Sequence, residues 1–371
     1  MHKVTCAIAV CMAITILSSC ASSPSPKGAS SGSSGGSAAE KKSTAASGKA
    51  TKEPEWVSNP RAAYPEAQYV SAVGYGADRD SAEKNALGAL IAVFGQTVKG
   101  ETTVTSRYSE AVQSGAIAIT EGSDVDRAVK TSFDLDSVVG AEIKATWDDG
   151  KGTTYALAVM ERARAAMLYS NLLETNEETI TKLIAIPDAD KNTLDAYARY
   201  DLAAAIGDMN GRFLNVLSVV NPAAAAAKAG SVRKGDQLRL ECLRIAQNIP
   251  IAVTVANDRD GRIKAAFSQA ISASGFKTGG TGSRYSLDGT LSLSEVVLKN
   301  NDNKFVRYIV DARLTDTATG AVLMPYNVQG REGHSTVPEA ENRALKAAEK
   351  KIADDFNKAF SGYLAQLSAK K

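Results

Sequence analysis

The stretch YVSAVGYGADRDSAEKNAL, residues 69–87, decides how the chain folds. An apolar run from Tyr69 to Val73 reads as a strand and ends in Gly74-Tyr75-Gly76. From Asp80 the pattern turns helical. Ala82, Ala86 and Ala89 with Leu90 and Val93 recur at helical spacing, as do Leu87, Ile91 and Phe94. Strand, Gly-x-Gly, helix is also how a dinucleotide-binding loop begins. That loop needs a third glycine so that helix and strand can touch, and Arg79 stands in its place. Glu101, about 20 residues on, belongs to too common a residue type to restore the match. The simpler reading is a strand–turn–helix joint. Its glycines turn the chain sharply, and its alanines let the helix lie close to a sheet. Asp80 is the expected N-cap, with Glu83 three residues on as in a capping box.

Working outward, PEWVSNP marks the start of order, with Trp56 and Val57 docking onto the first core. ETTVTSRYSE reads as a strand, and AEIKATW alternates Ala141, Ile143, Ala145 and Trp147 against Glu142, Lys144 and Thr146. Asp148-Asp149-Gly150 turns that strand into TTYALAVME, a hairpin. A long helix follows from about Arg162 to Ala185, and residues 188–230 are helical and alanine-rich. Ala223–Ala227 is too short for a membrane span. Beyond about 235, IPIAVTVA, YSLDGTLSLSEVVL, RYIVDARLTD and AVLMPYNVQG read as strands, with a helix over DRDGRIKAAFSQAISASGF. A terminal helix from about Pro338 to Leu367 carries Leu345, Ala348, Ile352, Phe356, Ala359, Tyr363 and Leu367 on one stripe, and Asp354 with Lys358 on the solvated side. The fold class is α+β: two mixed units with antiparallel-rich sheets packed by helices, over 54–185 and 233–371, joined by a helical connector over 186–232. GYGADRDSAEKNAL and GREGHSTVPEAENRAL share a strand, a glycine turn and an Ala-Glu-rich helix start; either a duplication or common helix-start chemistry explains them.

The first residues carry the most specific signal. Met1-His2-Lys3 supplies a positive charge, and Val4 to Leu17 is an almost unbroken apolar run of about 14 residues, too short to span a bilayer but suited to a signal peptide. It ends in Leu17-Ser18-Ser19-Cys20, which resembles a bacterial lipobox. The expectation is a signal peptide over 1–19 and a lipidated Cys20, anchored by acyl chains such as palmitate, each buried CH₂ contributing about 0.8 kcal/mol. Ala21 rather than aspartate follows, which favours the outer membrane. Residues 21–53, rich in Ser, Gly, Ala and Lys, read as a flexible tether with a reach on the order of 30 Å. Its length lets the body sit in the periplasm or at the cell surface.

Composition narrows the function. Hydrophobic residues make up 44% of the 371 and charged residues 23%, ordinary globular values. Lys and Arg total 43 against 41 Asp and Glu, so no basic excess exists to hold nucleic acid. Aromatic content of 6% also argues against base-stacking platforms. Cys6 and Cys11 leave with the signal peptide and Cys20 carries lipid. Cys242 is left without a disulfide partner, and its neighbours Leu240 and Leu243 suggest a buried thiol. His334 is the one histidine after signal removal, in a Gly/Ser/Thr-rich segment, and reads as a loop residue rather than part of a triad or metal site. GSVRKGDQ (230–237) has a phosphate-loop frame but places Asp236 where a lysine is required. NDRDG (257–261) lacks the alternating order of an EF-hand loop and reads as a turn before a helix. GGTG (279–282) reads as a flexible loop before a strand. No catalytic residues, metal site or cofactor are expected. TTVTSRYSEAVQSGAIAIT alternates loosely enough to leave a pore-forming strand open.

With the lipobox, the tether, PEWV, YVSAVGYG, SAEKNALGALIAVFGQTV and YALAVMERARAAMLY in place, the chain resembles the LPP20 lipoprotein family over about residues 54–170. The resemblance implies an α+β domain of envelope lipoproteins, similar to the N-terminal domain of a flagellar assembly protein, with no catalytic residues to carry over. By strand–helix–strand order and VDARLTDTATGAVL, the C-terminal unit resembles periplasmic domains of curli-type export lipoproteins and of the Tol system's propeller protein. The expected function is that of a non-enzymatic, lipid-anchored envelope protein acting as an interaction or structural module. Its partners would be the membrane through Cys20 and envelope proteins, with a homo-oligomer open. A subunit of an export or flagellar basal assembly and a peptidoglycan-binding lipoprotein are the alternatives.

Overall fold

The computed structural model describes residues 52–95, 102–134 and 138–369. The lipobox (Leu17, Ser18, Ser19), Cys20 and the tether up to residue 51 lie outside the described residues.

Two short helices, α1 (Glu55–Ser58) and α2 (Pro60–Ala63), lead into strand β1 (Tyr69–Gly76) and helix α3 (Arg79–Val93). Strands β2 (Glu142–Asp148) and β3 (Thr154–Glu161) form the hairpin, and all three strands pair antiparallel in the order β1-β3-β2. Helix α3 lies on one face of this sheet with Ala82, Ala86, Leu87 and Leu90 buried. Its N-cap is Asp78, not Asp80. The Asp78 carboxylate accepts the Ser81 N–H at 2.8 Å, and that bond holds its carboxyl below the usual range. Asp80 instead pairs with Lys84, and Glu83 with Arg79, so Glu83 does not reach back to the cap. In β2 the alternation breaks. A register shift between Ile143 and Ala145 sends Ile143 towards α3, opposite Ala158, while Ala145 and Trp147 face the other way, opposite Leu157 and Tyr155.

From Thr102 onward ETTVTSRYSE is a helix, not a strand. Helix α4 (Thr102–Gln113) buries Tyr108 and Ala111, with Val104 packed beside them at helical spacing. The β-branched start is overridden by tertiary docking, and the open reading of this stretch as a barrel strand falls with it. Helix α5 (Asp124–Asp134) follows. Helices α6 (Arg162–Ile184), α7 (Leu194–Val220), α8 (Pro222–Ala229) and α9 (Gly235–Gln247) complete the first core, which takes in Leu202 to Val232 of the helical segment and Leu238 beyond it. A buried polar chain crosses it. Tyr108 donates to Asn176 Oδ1 (2.9 Å), Asn176 Nδ2 to Asn210 Oδ1 (2.7 Å), and Asn210 Nδ2 to Glu177 Oε1 (3.0 Å). Glu177 in turn accepts from the backbone N–H and guanidinium of Arg233. Each link is satisfied, so the chain orders α4, α6 and α7 without leaving an orphan.

The second core is built on a five-stranded mixed sheet of order β5-β4-β6-β7-β8, where β4 is Pro250–Ala256, β5 Lys277–Gly279, β6 Tyr285–Val296, β7 Lys304–Asp316 and β8 Ala321–His334. The β4 strand runs parallel to both neighbours, with helix α10 (Arg262–Ala273) after it; β6, β7 and β8 are antiparallel. The other face of the long strands is polar, with Asp288 accepting from Thr254 and Asp311 from Asn327. Helix α11 (Val337–Lys351), a π-helical turn over Ile352–Phe356 and helix α12 (Asn357–Ala369) close the chain. The expected stripe holds to Phe356 and then shifts. Ala340, Ala344, Ala348, Ile352, Phe356, Phe360 and Leu364 are buried, spaced by four, while Ala359 is exposed. A spacing of four drifts around a 3.6-residue helix, and the wider π turn offsets part of that drift.

The two similar segments differ in what their glycines do. A Cβ on Gly74 would meet the backbone of α3, whereas one on Gly330 or Gly333 would meet the rings of Tyr308 and Phe305 within the sheet. The strand orders of the two sheets differ as well.

Candidate functional site

The opening joint has no room for a phosphate. A Cβ on Gly74 would lie 2.6 Å from Ala86 Cα, and one on Gly76 2.8 Å from Ala82 N. Both glycines sit within β1 and admit the helix backbone; the chain turns at Ala77-Asp78 rather than at either of them. Asn85 Nδ2 donates to Tyr75 O at 2.8 Å and ties helix to strand. The phosphate-loop frame at 230–237 is closed in the same way. A Cβ on Gly235 would lie 2.7 Å from Ala204 O, and Asp208, ion-paired with Arg239 at 2.5 Å, fills the adjoining space. NDRDG is a turn into α10, with Lys264 N–H donating to Asp258 (2.8 Å) and Gly261 in the left-handed region. GGTG begins with the last residue of the edge strand β5. Among the described residues, no group of three or more His, Cys, Asp or Glu side chains converges as a metal site.

Cys242 is buried at 4% exposure, and burial pushes its thiol up to about 12. The reason is not the neighbouring leucines, since Leu240 and Leu243 are 57% and 46% exposed. Cys242 faces the other way, its Sγ 3.5 Å from Tyr197 O. His334 is the last residue of β8, opposite Lys304, rather than a loop residue; its Nδ1 is 3.2 Å from Ser335 Oγ.

Two surface features stand out. The first is a cavity of about 410 Å³ where the N-terminus of α7 meets the starts of β6 and β8, the end of β7 and α12. Arg284 lies 5.5 Å over the Tyr285 ring and reaches Asp316 through Nη2 (3.3 Å) and Nε (3.4 Å). The Tyr285 hydroxyl accepts the Leu194 N–H at 3.2 Å. Arg199 donates to Lys182 O and Ala185 O at the end of α6. Burial holds the Tyr363 proton up to about 12. Arg284, Asp316, Tyr285 and Arg199 are committed to one another and to backbone, an arrangement that fastens helix α7 to the second sheet.

The second feature is an aromatic row on the face of the three-stranded sheet that α3 leaves uncovered. Tyr75, Tyr155 and Trp147 occupy directly opposed positions on β1, β3 and β2. Ring centroids are 6.2 Å apart for Tyr75 and Tyr155, and 5.5 Å for Trp147 and Tyr155. Tyr75 is 67% exposed and the other two are half-buried. Further along the same face α1 packs against β3, and Tyr64 meets the Tyr69 ring edge-on at 5.3 Å. The sequence placed Trp147 on a sheet face, but the row depends on a register that only pairing shows.

The family model described as LPP20 lipoprotein matches residues 54–161, from the segment before α1 to the last residue of β3. Among solved structures, the secreted protein HP1454 from Helicobacter pylori is similar at 17% identity, covering 82% of this chain and 99% of that one, with a TM-score of 0.37. A minor lipoprotein from Acinetobacter baumannii is similar at 16% identity over 33% of this chain and 91% of that one, with a TM-score of 0.23. A PelC dodecamer from Paraburkholderia phytofirmans is similar at 19% identity over 33% of this chain and 88% of that one, with a TM-score of 0.19. No curated protein matches the chain.

Proposed function

We propose that this chain, a bacterial envelope lipoprotein by its LPP20 segment over residues 54–161, is a non-enzymatic interaction module held at the outer membrane through Cys20. The LPP20 match is the observation that carries the reading, because it supplies the lipoprotein context that the lipobox at Leu17-Ser18-Ser19-Cys20 requires. Among the described residues no helix is long and apolar enough to cross a membrane. Acyl chains on Cys20 then provide the membrane hold, and several chains together make it durable. The non-enzymatic part is supported by the way the motifs that suggest chemistry are used. The glycine-rich joints are filled by helix backbone, the Cys242 thiol is buried, and in the cavity Arg284 pairs with Asp316 while Arg199 is held by backbone carbonyls. Replacing Cys20 with Ala should abolish fatty-acid labelling and release the protein from membranes on fractionation. Persistent labelling or sedimentation with membranes would reject the anchor. In-cell crosslinking of the parent protein should return envelope proteins as partners, and a chain that crosslinks to nothing would reject the module.

A further inference from the structure

Val297, where β6 leaves the sheet for β7, is 92% exposed. A single exposed apolar side chain needs no explanation, but this one continues a pattern on the strands behind it. The face of the five-stranded sheet that carries no helix ends at the same hairpin. Its last rung pairs Val296 with Phe305. The Phe305 ring lies over Gly333 of β8, where a Cβ would come within 2.5 Å of Phe305 Cε1. The next rung inward is Ser294–Arg307–Arg331.

That second rung carries a repulsion. Directly opposed side chains have Cβ atoms about 4.5–5.5 Å apart, and like charges so placed destabilise a sheet. Arg331 is held 5.4 Å over the Phe305 ring. Neither arginine has a hydrogen bond or ion pair among the described residues. The acids at this end of the sheet stand on the other side: Glu295 and Glu332 are in register with buried Val306, on the face that the helices cover. The nearest carboxylate on the strands of the open face is Asp311, two rungs further in, and Asn327 donates to it. The connection itself carries Lys299 and Asp302, and Lys304 opens β7.

The order of these groups along the strands selects the partner. An apolar rung leads, and two guanidiniums follow about 7 Å behind it, at roughly 3.4 Å per residue. A bilayer met from water presents its phosphates first and the acyl boundary about 5–10 Å deeper. A hairpin entering tip-first puts Val296, Val297 and Phe305 at that depth and Arg307 and Arg331 at the level of the phosphates. The guanidinium fork matches phosphate oxygens. A soluble polyanion would leave the apolar tip in water, and an apolar protein surface would bury two unpaired cations. A charged lipid surface satisfies both rungs at once.

We propose that the β6–β7 hairpin docks tip-first on a membrane surface carrying anionic phospholipid, with Arg307 and Arg331 on the headgroup phosphates. This rests on the reading of the protein as held at a membrane, and it gives the body a second hold that depends on lipid charge. The test uses the full chain, purified from membranes and reconstituted with vesicles of phosphatidylcholine alone or mixed with phosphatidylglycerol. Flotation with the neutral vesicles reports the acyl anchor by itself. Docking is read from an environment-sensitive fluorophore on Val297→Cys, and the parent carried through the same labelling gives the background of the other thiols. The expected emission rises, shifts to the blue and is quenched by spin-labelled acyl chains on phosphatidylglycerol vesicles, and stays aqueous on phosphatidylcholine. Two cations at such a surface contribute roughly thirtyfold together, so Arg307→Gln with Arg331→Gln should lower the docked-to-free ratio by about that factor. Both side chains are exposed and mutually repelling, so this double variant should melt at or above the parent temperature, which verifies its fold. Equal emission on the two kinds of vesicle overturns the proposal, and so does a double variant that docks as the parent does. Emission that rises with chain concentration in detergent alone assigns the hairpin to a second copy and overturns it as well. A chain that does not float with neutral vesicles rejects the anchor, while the label on phosphatidylglycerol vesicles still decides the docking.

Discussion

Replacing Gly74 with alanine puts a methyl group into the backbone of α3. The new Cβ would stand 2.5 Å from Asn85 C and 2.6 Å from Ala86 Cα, where real Cβ contacts essentially never fall under 3.0 Å. Neither obstacle is a flexible side chain, so the helix itself has to retreat. A gap of 0.5–1 Å forfeits about a quarter to a half of each dispersion contact it opens, and Ala82, Ala86 and Leu90, all at 0% exposure, lie in that interface. Overpacking costs about 1–3 kcal/mol, and a backbone obstacle sets this case at the upper end, about 3 kcal/mol. At roughly 2–4 °C per kcal/mol for a body of this size, the melting temperature should fall by about 6–12 °C. Gly88, one turn further along the same helix, has nothing within 4 Å of its Cβ position. Alanine there should stabilise by about 1 kcal/mol through helix propensity alone. Circular dichroism melts of parent, Gly74→Ala and Gly88→Ala in the same detergent decide the matter. If Gly74→Ala melts within about 2 °C of the parent, or the two variants shift alike, the reading of the glycines as a helix seat is wrong.

Tyr108→Phe removes the donor to buried Asn176 Oδ1 and should cost about 1–3 kcal/mol in denaturant unfolding; a change under about 0.5 kcal/mol would show that the polar chain is not integral to the core. Tyr326→Phe runs the other way. Its hydroxyl is buried with no hydrogen-bond partner among the described residues, so its removal should leave stability unchanged or raise it by about 1 kcal/mol, and a loss above that would reveal a partner. Phe360→Ala should cost about 3–5 kcal/mol, because Phe360 is 1% exposed and stacks on Phe356 at 5.9 Å, while Ala359→Ser should be neutral. Equal effects at the two positions would refute the shifted stripe. Cys242 keeps its proton in the folded state up to about 12, while the unfolded thiol releases it near its ordinary value of 9.0, so the unfolded state binds fewer protons between these values. Its contribution to stability is fully present below pH 9 and is lost as pH rises towards 12. Cys242→Ala should flatten the fall in melting temperature above pH 9, and an identical pH profile in parent and variant would contradict the buried thiol.

Much of this architecture was legible because periodicity tracks burial. The joint at 69–87, the hairpin, the long helices and four of the second sheet's strands follow their patterns. What escaped did so for local reasons. Thr102, Val104 and Thr105 favour extended backbone, and only the docking of Tyr108 and Ala111 makes α4 a helix. One bulged residue in β2 moved Trp147 away from Ile143, a change invisible to strict alternation. The π turn displaced the terminal stripe by one position after Phe356. The joint's two glycines were legible but their work was not, since close approach and sharp turning call for the same residue. The aromatic row was hardest, because Tyr75 and Tyr155 are 80 positions apart and nothing in either segment announces their register.

Helix α7 has a mechanical consequence. Its first residues, Leu194 and Ala196, are buried in the second core, and its length from Leu202 to Val220 is buried in the first. At 27 residues it is about 40 Å of continuous helix. An axle shared by two hubs leaves no soft joint between them. A pull applied at the N-terminal end of the body would reach the five-stranded sheet as torque and thrust along α7, rather than being absorbed by a slack linker. Stretched in an optical trap, the body should yield in one rip rather than two.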